Sequence, residues 1–198
     1  MTDITDMEDD LEDLFEDYPS LRLVAPFLAL AENVRWFRAL GETPDAETVK
    51  LARDYAAALG FPEAEPAFLP DWADAADAAE STDYNSPAWE AEEQLRAALT
   101  TDLLDALDEQ TFEMVVAHVG QSVAETIEAS TEEAAQDLRI VDEGFLMAAS
   151  GAAAQACHQA ALVAMAGAED DHPFALRFQL FEKGHWPLGI VGNSFLIF

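Results

Sequence analysis

Residues 144–168 contain no Asp, Glu, Lys or Arg, although the chain as a whole carries 40 acidic and 9 basic side chains. An uncharged run of that length must either enter a membrane or be covered by the rest of the protein. Alanine dominates it, with the best intrinsic helix propensity of any residue. Alanine is also nearly neutral toward lipid, and Ser150, Gln155, His158 and Gln159 oppose insertion into a bilayer. The run therefore predicts a central helix around which other helices pack. Asp142 is placed to cap its start and Gly167 to end it.

The same punctuation recurs along the chain. Met7, Leu11, Leu14, Phe15 and Tyr18 form one apolar stripe among acids, which predicts an acidic helix ended by Pro19, with Ser20 capping the next segment. Pro26 suits the first turn of a helix running to Leu40 and closed by Gly41, with Phe27, Leu28, Ala31, Val34 and Phe37 on its apolar face. Thr43 and Pro44 read as cap and first helical residue of the next helix, which Gly60 stops. The three prolines between Phe61 and Asp71 predict a loop whose Phe61, Phe68 and Trp72 cover the side of the core. A short helix over Ala73–Glu80 and a polar connection at Ser81–Asn85 come next.

Ser86 and Pro87 start a helix that breaks near Asp108. The apolar stripe then restarts at Phe112, Val115, Val116, Val119, Val123 and Ile127, and Thr131 with Glu132 begins a further segment. Asp171, His172 and Pro173 precede Phe174, Phe178 and Phe181 at helical spacing, while Leu176, Phe178 and Leu180 spell the competing strand. The last residues form two β-prone runs around Gly192 and Asn193, both able to take positive φ, which is a hairpin signal. The expected fold is mainly α: a multi-helix, bundle-like single domain over residues 1–198 with about seven helices. Residues 1–20 supply a peripheral acidic helix and residues 185–198 a small C-terminal β-hairpin packed on the helices.

Charge narrows the function. A formal charge of −31 disfavours direct nucleic-acid binding, which needs a dense basic face. Nine acids and no base in the first twenty residues do not resemble a secretory signal, and Cys157, the single cysteine, excludes an intramolecular disulfide. A cytoplasmic protein is the expectation. The sequence contains no GxGxxG, GxxxxGK[ST], HExxH, GxSxG or CxxC, which removes support from common nucleotide, zinc-peptidase, nucleophile-elbow and redox-thiol mechanisms.

Weaker constellations remain. His118, Ser122 and Glu125 share one helix face, where a polar flank explains them better than a catalytic set. Glu169-x-x-His172 and Glu182-x-x-His185 have di-iron-like spacing, but Pro173 and Gly184 break the helix such a site needs, so no metal is assigned. His158 and Gln159 lie in the uncharged helix, where each needs a partner or faces a pocket. Arg35 and Arg38 flank Trp36 and suit a seam between helices, with an anion-binding pair as the alternative. The run Trp186-Pro187-Leu188-Gly189 is distinctive and has no assigned role.

The expected function is non-catalytic protein–protein interaction with a basic partner, without a cofactor. Leu11, Leu14 and Phe15, flanked by Asp13 and Glu16, would lie in the partner's basic-rimmed groove. The alternative is a small-molecule or metal site, and with it a possible enzyme, near His118, His158 and Gln159. Uniform solvation of the chain in a saline interior also accounts for the acids, and a homo-oligomer is compatible with the sequence.

Overall fold

The computed structural model describes residues 19–81 and 85–198. Among these residues, a 3-10 helix at Pro19–Leu23 leads into seven α-helices and three strands. In chain order they are α1 (Val24–Ala31), α2 (Ala46–Ala58), β1 (Glu65–Phe68), α3 (Trp72–Glu80), α4 (Pro87–Ala106), α5 (Glu109–Leu138), α6 (Glu143–Ala166), α7 (Pro173–Glu182), β2 (Pro187–Val191) and β3 (Ser194–Ile197). The fold is mainly α, with a small mixed sheet that includes the C-terminal hairpin. The expected helix over Met7–Tyr18 lies outside the described residues, as do residues 82–84 of the polar connection.

The uncharged segment is α6, and it is central: α1, α4, α5, α7 and the 3-10 helix all pack on it. Its C-terminal half is buried almost without interruption, from Cys157 through Gln159 to Val163. Its N-terminal half buries Phe145, Ala149 and Ala153 on one face and leaves Met147 75 % exposed on the other. Small side chains at Ala149, Ala153 and Ala156 keep the helix slim, so neighbouring helices can approach closely.

The excess acid contributes at helix starts. Asp45, Asp71, Asp108 and Asp142 each accept a backbone N–H in the first turn of α2, α3, α5 and α6. A carboxylate there satisfies an orphan donor and faces the positive end of the helix dipole. Ser86 caps α4, with Pro87 at its first position. At α7 the cap is His172, whose Nδ1 accepts from the Phe174 N–H at 3.1 Å.

Helix α7 explains why its sequence supports two readings. Phe174, Phe178 and Phe181 face the main core beside Trp36 and α6, while Leu176 and Leu180 face a second core with Leu51, Tyr55, Ile190, Phe195 and Ile197. A helix apolar on both sides is one enclosed by the fold. The strand alternative gives way to a helix with a cap and a proline start.

Four expectations are corrected. The helix expected from Pro26 starts at Val24, with Leu23 and not Ser20 at its N-cap position, and ends at Ala31, not Leu40, because Trp36, Phe37 and Leu40 turn inward as an irregular segment. Phe37 adopts φ 61° and packs its ring against Phe181 and Trp186, with centroids 5.9 Å away in each case. Asn33 also donates its side-chain N–H to the Ala29 carbonyl at 2.7 Å, which supplies that helix end with a local bond. Asp45, not Thr43, is the cap of α2. No segment starts at Thr131: α5 runs through it, and the Thr131 hydroxyl donates to the Ile127 carbonyl within the helix. The proline-rich loop contains a strand, β1, which pairs parallel with β3 in the sheet order β1-β3-β2. Pro66 is tolerated because β1 is an edge strand.

The hairpin forms as expected, but only Gly192 takes positive φ in its turn, at 60°. Gly184 has a firmer requirement. Its φ is 87°, its carbonyl accepts the Ala39 N–H at 3.0 Å, and a Cβ placed on it would lie 2.8 Å from the Ala39 nitrogen. This contact locks the 32–42 segment to the end of α7. Gly184→Ala is expected to cost about 2 kcal/mol or more, from the backbone strain and the clash together. Chemical denaturation should show this loss, and a loss within error of zero would contradict the contact.

Candidate partner surface

The connection between α5 and α6 must reverse the chain in a few residues. Arg139 takes the left-handed conformation at φ 56° to do so, and its N–H closes the last turn of α5. The turn leaves Ile140 against the core and drives Val141 into solvent, where it is 99 % exposed. Leu138 is 41 % exposed on the preceding turn. Leu138, Ile140 and Val141 form one side of a hollow of about 400 Å³ whose other side is Pro70, Trp72 and Phe198.

Aromatic packing fixes the floor. The Trp72 ring stacks on Trp186 with centroids 6.0 Å apart and meets Phe145 edge-on at 5.1 Å. Its indole N–H donates to Asp142 Oδ2 at 2.9 Å, so the acid that caps α6 also holds the wall of the hollow. That indole bond, followed by the Gly144 N–H, keeps the Asp142 carboxyl below its ordinary range, and it stays ionised. Asp71 lies on the rim with Asp142, and Arg139 is the one cation among the lining residues.

Charge marks no single face: the acids are spread, as solvation of the chain predicts, rather than gathered on one side as docking by charge alone requires. Exposed acids stand on every helix from α2 through α6: for example Glu47, Asp77, Asp102, Glu128 and Glu143. Six ion pairs occur among the described residues, and they occupy six of the nine basic side chains. Most carboxylates therefore present uncompensated charge to solvent. Arg38 does pair across a seam, with Glu133 of α5 at 2.8 Å. Large apolar side chains are exposed at several places, Met114 and Met147 among them; what singles out the α5–α6 turn is Val141, the most exposed of them among the described residues, beside Leu138.

The residues expected to form sites are scattered. Leu11, Asp13, Leu14, Phe15 and Glu16 lie outside the described residues. His118 is exposed on α5, His158 is half-buried on α6, and Gln159 is buried. No hydrogen bond joins any two of these three. Burial, with a smaller contribution from Arg96, holds the His158 imidazole below its usual range. Both amide atoms of Gln159 lack a protein partner. His118, Ser122 and Glu125 share no hydrogen bond, and no group of three His, Cys, Asp or Glu among the described residues could hold a metal ion. Burial pushes the Cys157 thiol up to about 12, which removes it as a nucleophile at neutral pH.

Sequence reading missed a polar centre beneath the surface. Tyr55 of α2 donates its hydroxyl to Glu92 Oε1, and Arg177 of α7 donates from Nη1 to Glu92 Oε2 at 2.6 Å. Three helices are thereby tied through one carboxylate of α4. Arg177 is only 7 % exposed, and its Nε has no acceptor in the protein. Its signal in the sequence is a lone cation inside the apolar run Pro173–Phe181, but nothing local identifies Glu92 as its partner.

No protein family, curated protein or solved structure matches the chain. The functional reading rests on the surface and on its chemistry.

Burial and the adjacent Glu92 charge hold the Tyr55 phenol well above its ordinary value of 10.0. The unfolded chain releases that proton near pH 10, whereas the folded chain retains it. The contribution of Tyr55 to stability is therefore complete below about pH 10 and is lost as pH rises toward the folded value. Denaturation across the alkaline range should show wild type losing more stability above pH 10 than Tyr55→Phe. Parallel profiles would remove Tyr55 from the network.

Proposed function

We propose that this chain is a non-catalytic binding protein that acts by protein–protein contact, with the α5–α6 hollow receiving a basic, partly apolar segment of its partner. The observation that carries the reading is Val141. A valine 99 % exposed beside a half-exposed leucine contributes nothing to the core of its own chain. Burying such a side chain against a partner stabilises a complex by about 2 kcal/mol. The surrounding carboxylates would supply attraction and encounter rate, while the hollow would supply the address. Asp71 and Asp142 at the rim suit Lys or Arg flanking an apolar anchor. A cytoplasmic setting fits this role. No helix among the described residues is long and apolar enough to cross a membrane.

The test is affinity capture at low salt on immobilised protein, followed by titration of the retained partner against wild type and Val141→Ser. The partner should be basic, and its affinity should fall as salt is raised. Val141→Ser should weaken binding about tenfold or more while leaving thermal stability unchanged. Binding insensitive to Val141, or turnover of a small substrate by the purified chain with no partner retained, would overturn the reading.

A further inference from the structure

A second concavity adjoins the same Trp72–Trp186 stack, through Trp186. It is a cleft of about 300 Å³ between the first turns of α4, the middle of α6 and the start of β2. Its third wall is Trp186-Pro187-Leu188-Gly189, the distinctive run near the C-terminus, of which Trp186 also stacks on Trp72. Trp89 and Trp186 line it as aromatic surfaces, Ala148 and Ala152 leave space on the α6 side, and Ser86, Gln155, Arg177 and the Glu92 carboxylate are the polar groups on the wall. The volume matches the lower end of small-ligand sites, which are mainly apolar with a few polar groups that set orientation.

Arg177 is the informative residue. In a chain with 9 basic and 40 acidic side chains, one arginine is buried, at 7 % exposure, against this cleft. Its ion pair with Glu92 uses Nη1. Its Nε is buried without a protein acceptor, and an unpaired buried donor is costly to keep. A buried ion pair is also weak as a device for stability, since apolar residues of similar volume often serve the fold as well. The geometry points to a ligand site: we infer that the cleft binds a small organic monocarboxylate with an aromatic or branched apolar body. The carboxylate would take charge-assisted hydrogen bonds from Arg177, and the apolar body would lie against Trp89, Trp186 and the alanines of α6.

The pair with Glu92 has a consequence that a purely structural role lacks. Glu92 shares the guanidinium with any bound anion, so removing its charge while keeping its shape should strengthen anion binding. The experiment titrates wild type with a set of small monocarboxylates (benzoate, phenylacetate, indole-3-acetate and isovalerate) and with the matching amides. The indole N–H signals of Trp89 and Trp186 report occupancy by NMR. At least one carboxylate should bind saturably and shift both signals, with its amide binding about tenfold more weakly or less. Ala152→Leu, which fills the cleft, should abolish binding. Ala148→Phe, at an exposed position on the rim, should do the same without entering the core. Glu92→Gln should tighten binding severalfold. Absence of saturable binding by every carboxylate, equal binding by the amides, or unchanged binding in the folded Ala148→Phe protein would each overturn the inference.

Discussion

A helix without charge in a chain of net charge −31 is the constraint on which the rest depends. Helix α6 can be buried at little polar cost because its backbone is internally bonded and its side chains are mostly alanine. Long acidic side chains could not occupy its position at the centre of the fold. The neighbours that cover α6 divide their residues accordingly, with Val119, Val123 and Ile127 of α5 turned inward and Glu113, Glu125 and Glu128 turned out. The acids that do have a structural role stand at helix starts, where backbone N–H groups and the dipole favour them, and at Glu92, which ties Tyr55 to Arg177.

Much of this architecture is legible in the sequence, and the reason is locality. A cap, a proline at the first turn and a stop after the last are decisions made within one helical turn. The boundaries at Ser86–Pro87, Asp108, Asp142 and His172–Pro173 are readable for that reason. Elements that depend on distant partners are not. Strand β1 has four residues and a proline, and it exists because β3 offers it an edge. The 32–42 segment carries a helical pattern, yet Trp36 and Phe37 are drawn out of it by the aromatic side chains of α7 and Trp186. At Thr131 a good capping residue lies inside a helix, because its hydroxyl can bond to the preceding turn.

The candidate sites divide in the same way. The acidic balance, from which a basic partner is proposed, is plain in the sequence. The proposed address on the surface is not plain, since Val141 follows a turn that Arg139 makes in the left-handed conformation, which no local pattern announces. The polar centre joins Tyr55, Glu92 and Arg177 across α2, α4 and α7, a separation that no local spacing encodes. His158 and Gln159 show the opposite case: they are conspicuous in sequence, as polar groups in an alanine-rich run. The two hollows on which the functional proposals rest are lined by neither.

The central claim is that the molecule is organised around the uncharged helix. Native-state hydrogen exchange tests it residue by residue, because amides in the cooperative core open only with global unfolding. The amides of Cys157–Val163 in α6 should be among the slowest to exchange, with opening free energies equal to the global stability from denaturation. Exchange of these amides as fast as those of the peripheral helix α3, while the rest of the fold stays protected, would contradict the account.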